Sequence, residues 1–342
     1  MINKIGFACK LIDRPDQING IKPTDSCKQY NTGSTTISWL KRQSTAAAEE
    51  KLWDLMKSNI DAVRRMVGKV GTFDPHLRMA RIGSDILPAY THEDYSYFWK
   101  RADVIAYAEA NFEKIGDYAR ANNVRLSFHP GQFTVLASEN DGIVERSIAE
   151  FEYHADMARW MGYGKSFQDF KINVHISGKR GPDGIRAAYK KLSPEARNCI
   201  TIENEENAWG LDDCLGLIDL VPIVLDVHHN WCREGTYIQP DSEQVKKVIA
   251  SWRGVRPTMH FSTSREDYLV GHNPDVLPDY AQLLATGFKK QKLRAHSDFA
   301  WNSKVNEWAL SFSKDFDLIV EAKGKNIASF ALAEQARALG VF

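Results

Sequence analysis

The chain of 342 residues lacks an excess of charge of either sign, with 44 Lys and Arg against 44 Asp and Glu. That balance excludes a histone-like or polybasic binder, whose affinity rests on bulk positive charge. It leaves open an enzyme that sets a basic groove beside an acidic site. Cysteine is scarce. The five thiols, Cys9, Cys27, Cys199, Cys214 and Cys232, are odd in number and show no Cys-x-x-Cys spacing. This disfavours a zinc knuckle or redox pair and predicts separate reduced thiols. No stretch approaches the ~18 apolar residues of a membrane span, and Met1–Lys10 is too short an apolar run for a signal peptide. The expectation is a soluble, cytoplasmic protein without a membrane partner. Low-complexity tracts, solenoid-type repeats and a Gly-rich phosphate loop after the first strand are also missing. Their absence argues against a repeat fold and an open dinucleotide-binding sheet.

What is present is an alternation of short β-like runs with amphipathic helical runs. The β-like runs are Lys4–Cys9, Met79–Asp85, Val124–His129, Phe170–Ser177, Cys199–Glu205, Pro222–His228, Arg256–Ser262 and Phe316–Lys323. Between them, Leu52, Met56, Ile60, Val63 and Val67 share one helical face, as do Ile105, Ala108, Phe112, Ile115 and Ala119. Val144, Ile148, Phe151, Ala155 and Ala158 form a third stripe. Strands alternating with helices in this number predict an α/β fold, a single (β/α)8 TIM barrel spanning residues 1–342. Two polar stretches exceed what a minimal barrel needs and read as long loops. They are residues 10–48, with Pro15, Gly20, Pro23 and Gly33, and residues 287–315, with Lys289, Lys290, Lys292, Arg294, Trp301 and Trp308. The basic cluster at 289–294 is expected to be a solvated face.

Strand parity locates the chemistry. Successive side chains alternate faces, so the apolar Val124, Leu126 and Phe128 leave Arg125, Ser127 and His129 on the other side. The same reading sets Lys171, Asn173 and His175 against Ile172, Val174 and Ile176, and Thr201 and Glu203 against Ile200 and Ile202. Asp226, His260 and Glu321 follow on the last three strands. Six consecutive strands therefore place a His, Asp or Glu on the less apolar face near the C-terminal end, where barrel active sites form. A lone strand-end histidine is usually a hydrogen-bonded structural residue. Three imidazoles and three carboxylates converging in a low-dielectric space need counter-charge, which divalent cations supply.

Mixed N and O ligands without thiolate suit zinc or manganese, and their number exceeds what one ion uses. A cluster of two to three ions is expected, with Glu203 bridging. Such clusters are suited to phosphodiester hydrolysis. His92, His228, His229 and His272, in loops past strand ends, are additional candidates; of the adjacent pair, one is expected to ligate and the other to pack. His76, His154 and His296 fit no strand end and are expected to be structural or surface residues. Cys232, near His229, is expected to be a bystander.

Several motifs together resemble the ultraviolet damage endonuclease family. They are Arg81-Ile-Gly-Ser with Leu87-Pro88 and His92, Ser127-Phe-His-Pro-Gly-Gln-Phe133, Val174-His175, Ile202-Glu-Asn204, Leu225-Asp-Val-His-His-Asn230, Met259-His-Phe-Ser262 and Val320-Glu-Ala-Lys-Gly-Lys325. They run in the family's order over roughly residues 4–326. The resemblance implies a barrel of the apurinic-endonuclease and xylose-isomerase-like group. It implies a hydrolase that cuts damaged double-stranded DNA immediately 5′ to cyclobutane dimers, 6-4 photoproducts and some other lesions, leaving a 3′-hydroxyl and a 5′-phosphate.

By motif, it implies that His129, His175 and Glu203 hold one metal, with Glu203 bridging to a second completed by Asp226, His260 and Glu321. His229 and His272 would hold a third, and His92 would act near the scissile phosphate. Gln132, Phe133 and Phe7 would contact the lesion. Glu203, Glu321, Asp226 and His92 would be the catalytic groups, in an enzyme expected to act as a monomer. One position departs from the pattern. Relatives often carry a modifiable Lys two residues before the strand-seven histidine, and this chain has Thr258. Rival readings are an apurinic-site endonuclease or a metal-dependent sugar isomerase of the same group. A lesion-binding protein without cleavage is a third, less consistent with so complete a ligand set.

Overall fold

The computed structural model describes residues 2–14, 18, 24–269 and 271–342. Pro15, Gly20 and Pro23 of the first long stretch lie outside the described residues. Eight parallel strands close on themselves in sequence order, each hydrogen-bonded to the next and the last to the first. They are β1 (Ile5–Cys9), β2 (Met79–Ile82), β3 (Arg125–Phe128), β4 (Lys171–His175), β5 (Ile200–Glu203), β6 (Ile223–Asp226), β7 (Thr258–Phe261) and β8 (Asp317–Val320). Every strand expected from the sequence is present, within a few residues at its ends.

Helices wrap the barrel because each carries an apolar stripe that only the strands' outer faces can cover. The helix Thr45–Gly71 starts where the Ser44 side chain accepts the Ala47 N–H, and buries Leu52, Met56, Ile60, Val63 and Val67. In Ala102–Ala121, Val104, Ala108, Phe112, Ile115 and Ala119 are buried, while Ile105 is only half-buried. The helix Asp141–Trp160 begins at Asn140, whose side chain accepts from Ile143 N–H, and buries Val144, Phe151, Ala155 and Ala158.

The second long stretch is not a bare loop. It holds helices at Lys290–Leu293 and Ser303–Leu310, and both tryptophans pin it down. The Trp301 indole donates to the Ser264 carbonyl at 2.8 Å and that of Trp308 to the Ile238 carbonyl at 2.7 Å.

The barrel lumen is filled in layers. At its N-terminal end Asp317, 2% exposed, accepts from the Lys4 N–H, Arg256 and Arg125. Gly6 fits one layer up because a Cβ there would stand 2.7 Å from the Met79 side chain and 2.9 Å from Ile319. Parity overturns one expectation. Phe7 pairs with Ala80 and Val320 and is 1% exposed within the core under the helices. The lumen-facing residues of β1 are Gly6 and Ala8, so Phe7 is a packing residue that no DNA can reach in the folded protein.

Candidate metal centre

At the C-terminal end of the lumen the strand register sets ligand-type side chains at one height. His175 is the direct partner of Glu203 across β4–β5, and Asp226 of His260 across β6–β7. Glu203, fully buried, stands at the middle. Its Oε1 lies 2.9 Å from His260 Nδ1 and 3.7 Å from His229 Nδ1, and its Oε2 lies 3.2 Å from His129 Nε2. The Asn173 amide donates to the same Oε2, and Thr201 fixes that amide by donating to Asn173 Oδ1 at 2.8 Å. Two sets of side chains are placed to grip a cation: His129, His175 and Glu203, and Glu203, Asp226 and His260. Within each set the ligand atoms lie within 4.8 Å of one another. Glu203 is common to both.

Electrostatics hold these groups apart in their titration. Burial works against the Glu203 carboxylate, yet His260, His175 and His129 keep its pKa well below the usual range. Glu321 is likewise held low against burial by Arg81, to which it is hydrogen-bonded, and by His260, 3.2 Å away. Burial drops His260 to about 4 and lowers His175. Asp226 is pushed up to about 8 by burial, with the Glu203 and Glu321 charges adding to it. His229 rises to about 9 because Asp226, Glu203 and Glu206 outweigh its burial. Asp226 Oδ1 accepts the His229 N–H at 2.7 Å, while among the described residues Oδ2 has no hydrogen-bond partner, and neither has His175 Nδ1. Buried lone pairs without donors are what an incoming cation satisfies, so this donor set fits a divalent ion.

Asp226 also explains why strand six ends early. It caps the helix Val227–Glu234, so the two adjacent histidines lie on a first helical turn rather than on a strand. Successive helical residues diverge by about 100°. His229 therefore turns to the carboxylates, while His228 stacks near Trp231, with its Nε2 3.8 Å from Cys232 Sγ.

Two expected members stand elsewhere. The Nε2 of His272 lies 2.9 Å from the Val276 carbonyl and its ring packs edge-on to Trp301. No contact joins it to His229 among the described residues. His92 lines a groove of about 720 Å³ with Ser34, Thr35, Asp85, Tyr90 and Arg146.

In their place the structure brings in residues that sequence reasoning passed over. His296 reaches the mouth because Ser264 and His296 form an isolated antiparallel bridge. Its Nδ1 lies 3.9 Å from Glu321 Oε2, and its ring centroid lies 6.3 Å from that of His229. No strand periodicity marks that segment. Lys171, below Asn173 and two inward positions below His175 on the parity-assigned face, has its Nζ 3.0 Å from His260 Nε2, and burial lowers its pKa to about 7. The amine engages His260 Nε2 and leaves Nδ1 facing Glu203; when neutral, accepting from Nε2–H, it sets the tautomer whose Nδ1 lone pair a metal ligand needs.

A family model described as UV-endonuclease UvdE matches residues 4–340. The chain belongs to that family. It is 24% identical over 319 residues to a UV DNA damage endonuclease of Bacillus cereus (strain B4264), covering 89% of each chain. It is 26% identical over 272 residues to a UV-damage endonuclease of Schizosaccharomyces pombe, covering 76% of this chain and 40% of that longer protein. Among solved structures, SacUVDE superposes with a TM-score of 0.72 at 19% identity over 99% of this chain and all of its own. Endonuclease IV from Thermus thermophilus gives 0.52 at 14% identity over 81% and 93%. At such identities these likenesses establish a shared barrel.

At the mouth of this UV-endonuclease chain, a turn follows His129. Gly131 O accepts the Thr134 N–H at 2.9 Å, closing a turn whose tip is Gln132 and Phe133. Both side chains are exposed, and Phe133 is 86% exposed. Thr258, two residues before His260, is fully buried, and its Oγ1 makes no hydrogen bond among the described residues.

Proposed function

We propose that this UV endonuclease cuts double-stranded DNA immediately 5′ to cyclobutane dimers, 6-4 photoproducts and related distortions, leaving a 3′-hydroxyl and a 5′-phosphate. The observation that carries the reading is Glu203 shared between two imidazole–carboxylate sets, beside a turn that holds an aromatic ring in solvent. Divalent ions, manganese or zinc, would be held by His129, His175, Glu203, Asp226, His260 and Glu321, with His229 and His296, rather than His229 and His272, on the outer side. Bound there, they supply the charge stabilisation that phosphodiester hydrolysis needs near neutral pH.

The protein's own groups do the positioning. Arg81 fixes Glu321, Asn173 and Thr201 fix Glu203, and Lys171 sets the tautomer of His260. Phe133 is the wedge that occupies the gap left by a poorly stacked lesion, and Gln132 bonds to the bases left without partners. His92, in its groove beside Arg146, contacts the backbone phosphate. One chain supplies every one of these groups, so a monomer suffices.

The test is nicking of supercoiled plasmid that is ultraviolet-irradiated, depurinated or intact, with Mn²⁺ or with chelator. Metal-dependent nicking confined to irradiated plasmid is expected. Nicking of depurinated plasmid alone would favour an apurinic-site endonuclease.

A further inference from the structure

On the outer side of the cluster, His229 presents two different ring nitrogens. Nδ1 lies 3.0 Å from the Asn204 carbonyl. A carbonyl only accepts, so Nδ1 carries the proton and the lone pair of the neutral ring is on Nε2. That atom makes no hydrogen bond among the described residues, although the residue is only 8% exposed. The carboxylate facing it is Glu206, whose Oε2 lies 3.8 Å away.

Glu206 in turn is held by its other oxygen. Arg294 Nη1 lies 3.0 Å from Oε1 and also donates to Asn207 Oδ1 at 2.7 Å. Arg294 thus leaves the solvated basic cluster expected from the sequence and turns inward. The result is an imidazole lone pair and a carboxylate oxygen facing each other across a gap slightly wider than the usual spacing of two ligands on one ion. For metal–ligand distances of about 2.0–2.2 Å in tetrahedral to octahedral geometry, neighbouring ligand atoms fall roughly 3–3.6 Å apart, which a small side-chain adjustment closes.

We infer that Glu206 is a metal ligand, joining His229 Nε2 to hold a divalent cation on the outer side of the Glu203 cluster, with Arg294 orienting it. This rests on the metal-dependent reading above and adds a ligand to it. The arrangement uses Oε2 for the cation and Oε1 for the guanidinium, the division of labour by which outer partners orient a ligating carboxylate.

The test is metal content after dialysis against chelator-treated buffer, with Mn²⁺ titration calorimetry of the full chain. Glu206→Gln should retain one ion fewer than the parent, while circular dichroism of the metal-free proteins matches. Glu206→His, which restores a ligand of similar reach, should regain that ion. Should Glu206→Gln fail to fold, Arg294→Met carries the test, with affinity for the last ion falling about 10-fold. Unchanged stoichiometry and affinity in the folded Glu206→Gln or Arg294→Met protein, with the parent binding Mn²⁺ and nicking irradiated DNA, would overturn the inference and leave the function standing. A parent protein that binds no Mn²⁺ would overturn both.

Discussion

Asp226 and His260 face each other directly across the β6–β7 ladder, one layer above Thr258. Side chains paired in this way across a parallel ladder share a height in the barrel, and His175 and Glu203 do the same two strands earlier. The geometry of the candidate metal centre is therefore a consequence of register, and the groups that tune it lie beneath.

Lys171 is the clearest of these. Replacing it with Met removes the partner of His260 Nε2 and frees the ring to turn. Lys171→Met is expected to lower Mn²⁺ affinity about 10- to 100-fold, while the metal-free protein melts no lower, since an apolar side chain replaces a buried amine that desolvation disfavours. Calorimetry and thermal unfolding read the two effects separately. An unchanged affinity would mean that His260 is oriented by Glu203 and Glu321 alone.

The two outer histidines make a pairwise test. His296 lies beside Glu321 and near His229, whereas His272 is engaged with Val276 and Trp301. His296→Ala is expected to lower retained metal and incision; His272→Ala is expected to leave metal content as it is. The opposite result would restore the pairing of His229 with His272 that the motif order suggests.

Loading with metal should depend on pH in a defined sense. Asp226 and His229 titrate upward, to about 8 and about 9, so both hold protons at neutral pH in the metal-free protein. His260, at about 4, is already neutral and needs to release nothing. A cation must expel the protons of the first pair, so affinity should rise with pH between about 6 and 9 and then level off. Calorimetry in buffers of different ionisation enthalpy should show proton release at pH 7. Affinity that falls over this range would contradict the assignment.

Lesion recognition is assigned to the turn tip. With Phe133 86% exposed, its removal costs the fold little. The double variant Gln132→Ala, Phe133→Ala should keep its metal and melting temperature. It should bind irradiated duplex roughly 5- to 150-fold more weakly, as loss of about 1–3 kcal/mol of stacking implies. Preference for irradiated over intact DNA that survives the double change would place the wedge elsewhere. Phe7 is not the alternative, because it is buried beneath the helices.

The barrel is legible because short apolar strands and amphipathic helices alternate through the whole chain, and parity then singles out His129, His175, Glu203, Asp226, His260 and Glu321. Nearness to a strand's end makes Phe7 look accessible, whereas its parity with Ile5 assigns it to the outward face. His296 is not legible because it is carried to the mouth by a β-bridge inside a segment without periodicity. Arg294 and Glu206 are hidden for the same reason: their pairing joins two loops distant in sequence, which no local pattern records. Lys171 is on the correct face, but its partner lies across the lumen, and only the closed barrel brings them together.

Whether Glu203 organises a metal-dependent cut beside photolesions is read on an end-labelled duplex carrying one thymine dimer at a known position, resolved at single-nucleotide level. The parent protein with Mn²⁺ should yield one cut immediately 5′ of the dimer, ending in a 3′-hydroxyl that a polymerase extends. Chelator or Glu203→Gln should abolish it in protein that is still folded. Cutting that persists in folded Glu203→Gln, or that falls on the undamaged duplex equally, would show that Glu203 does not organise a cut beside photolesions.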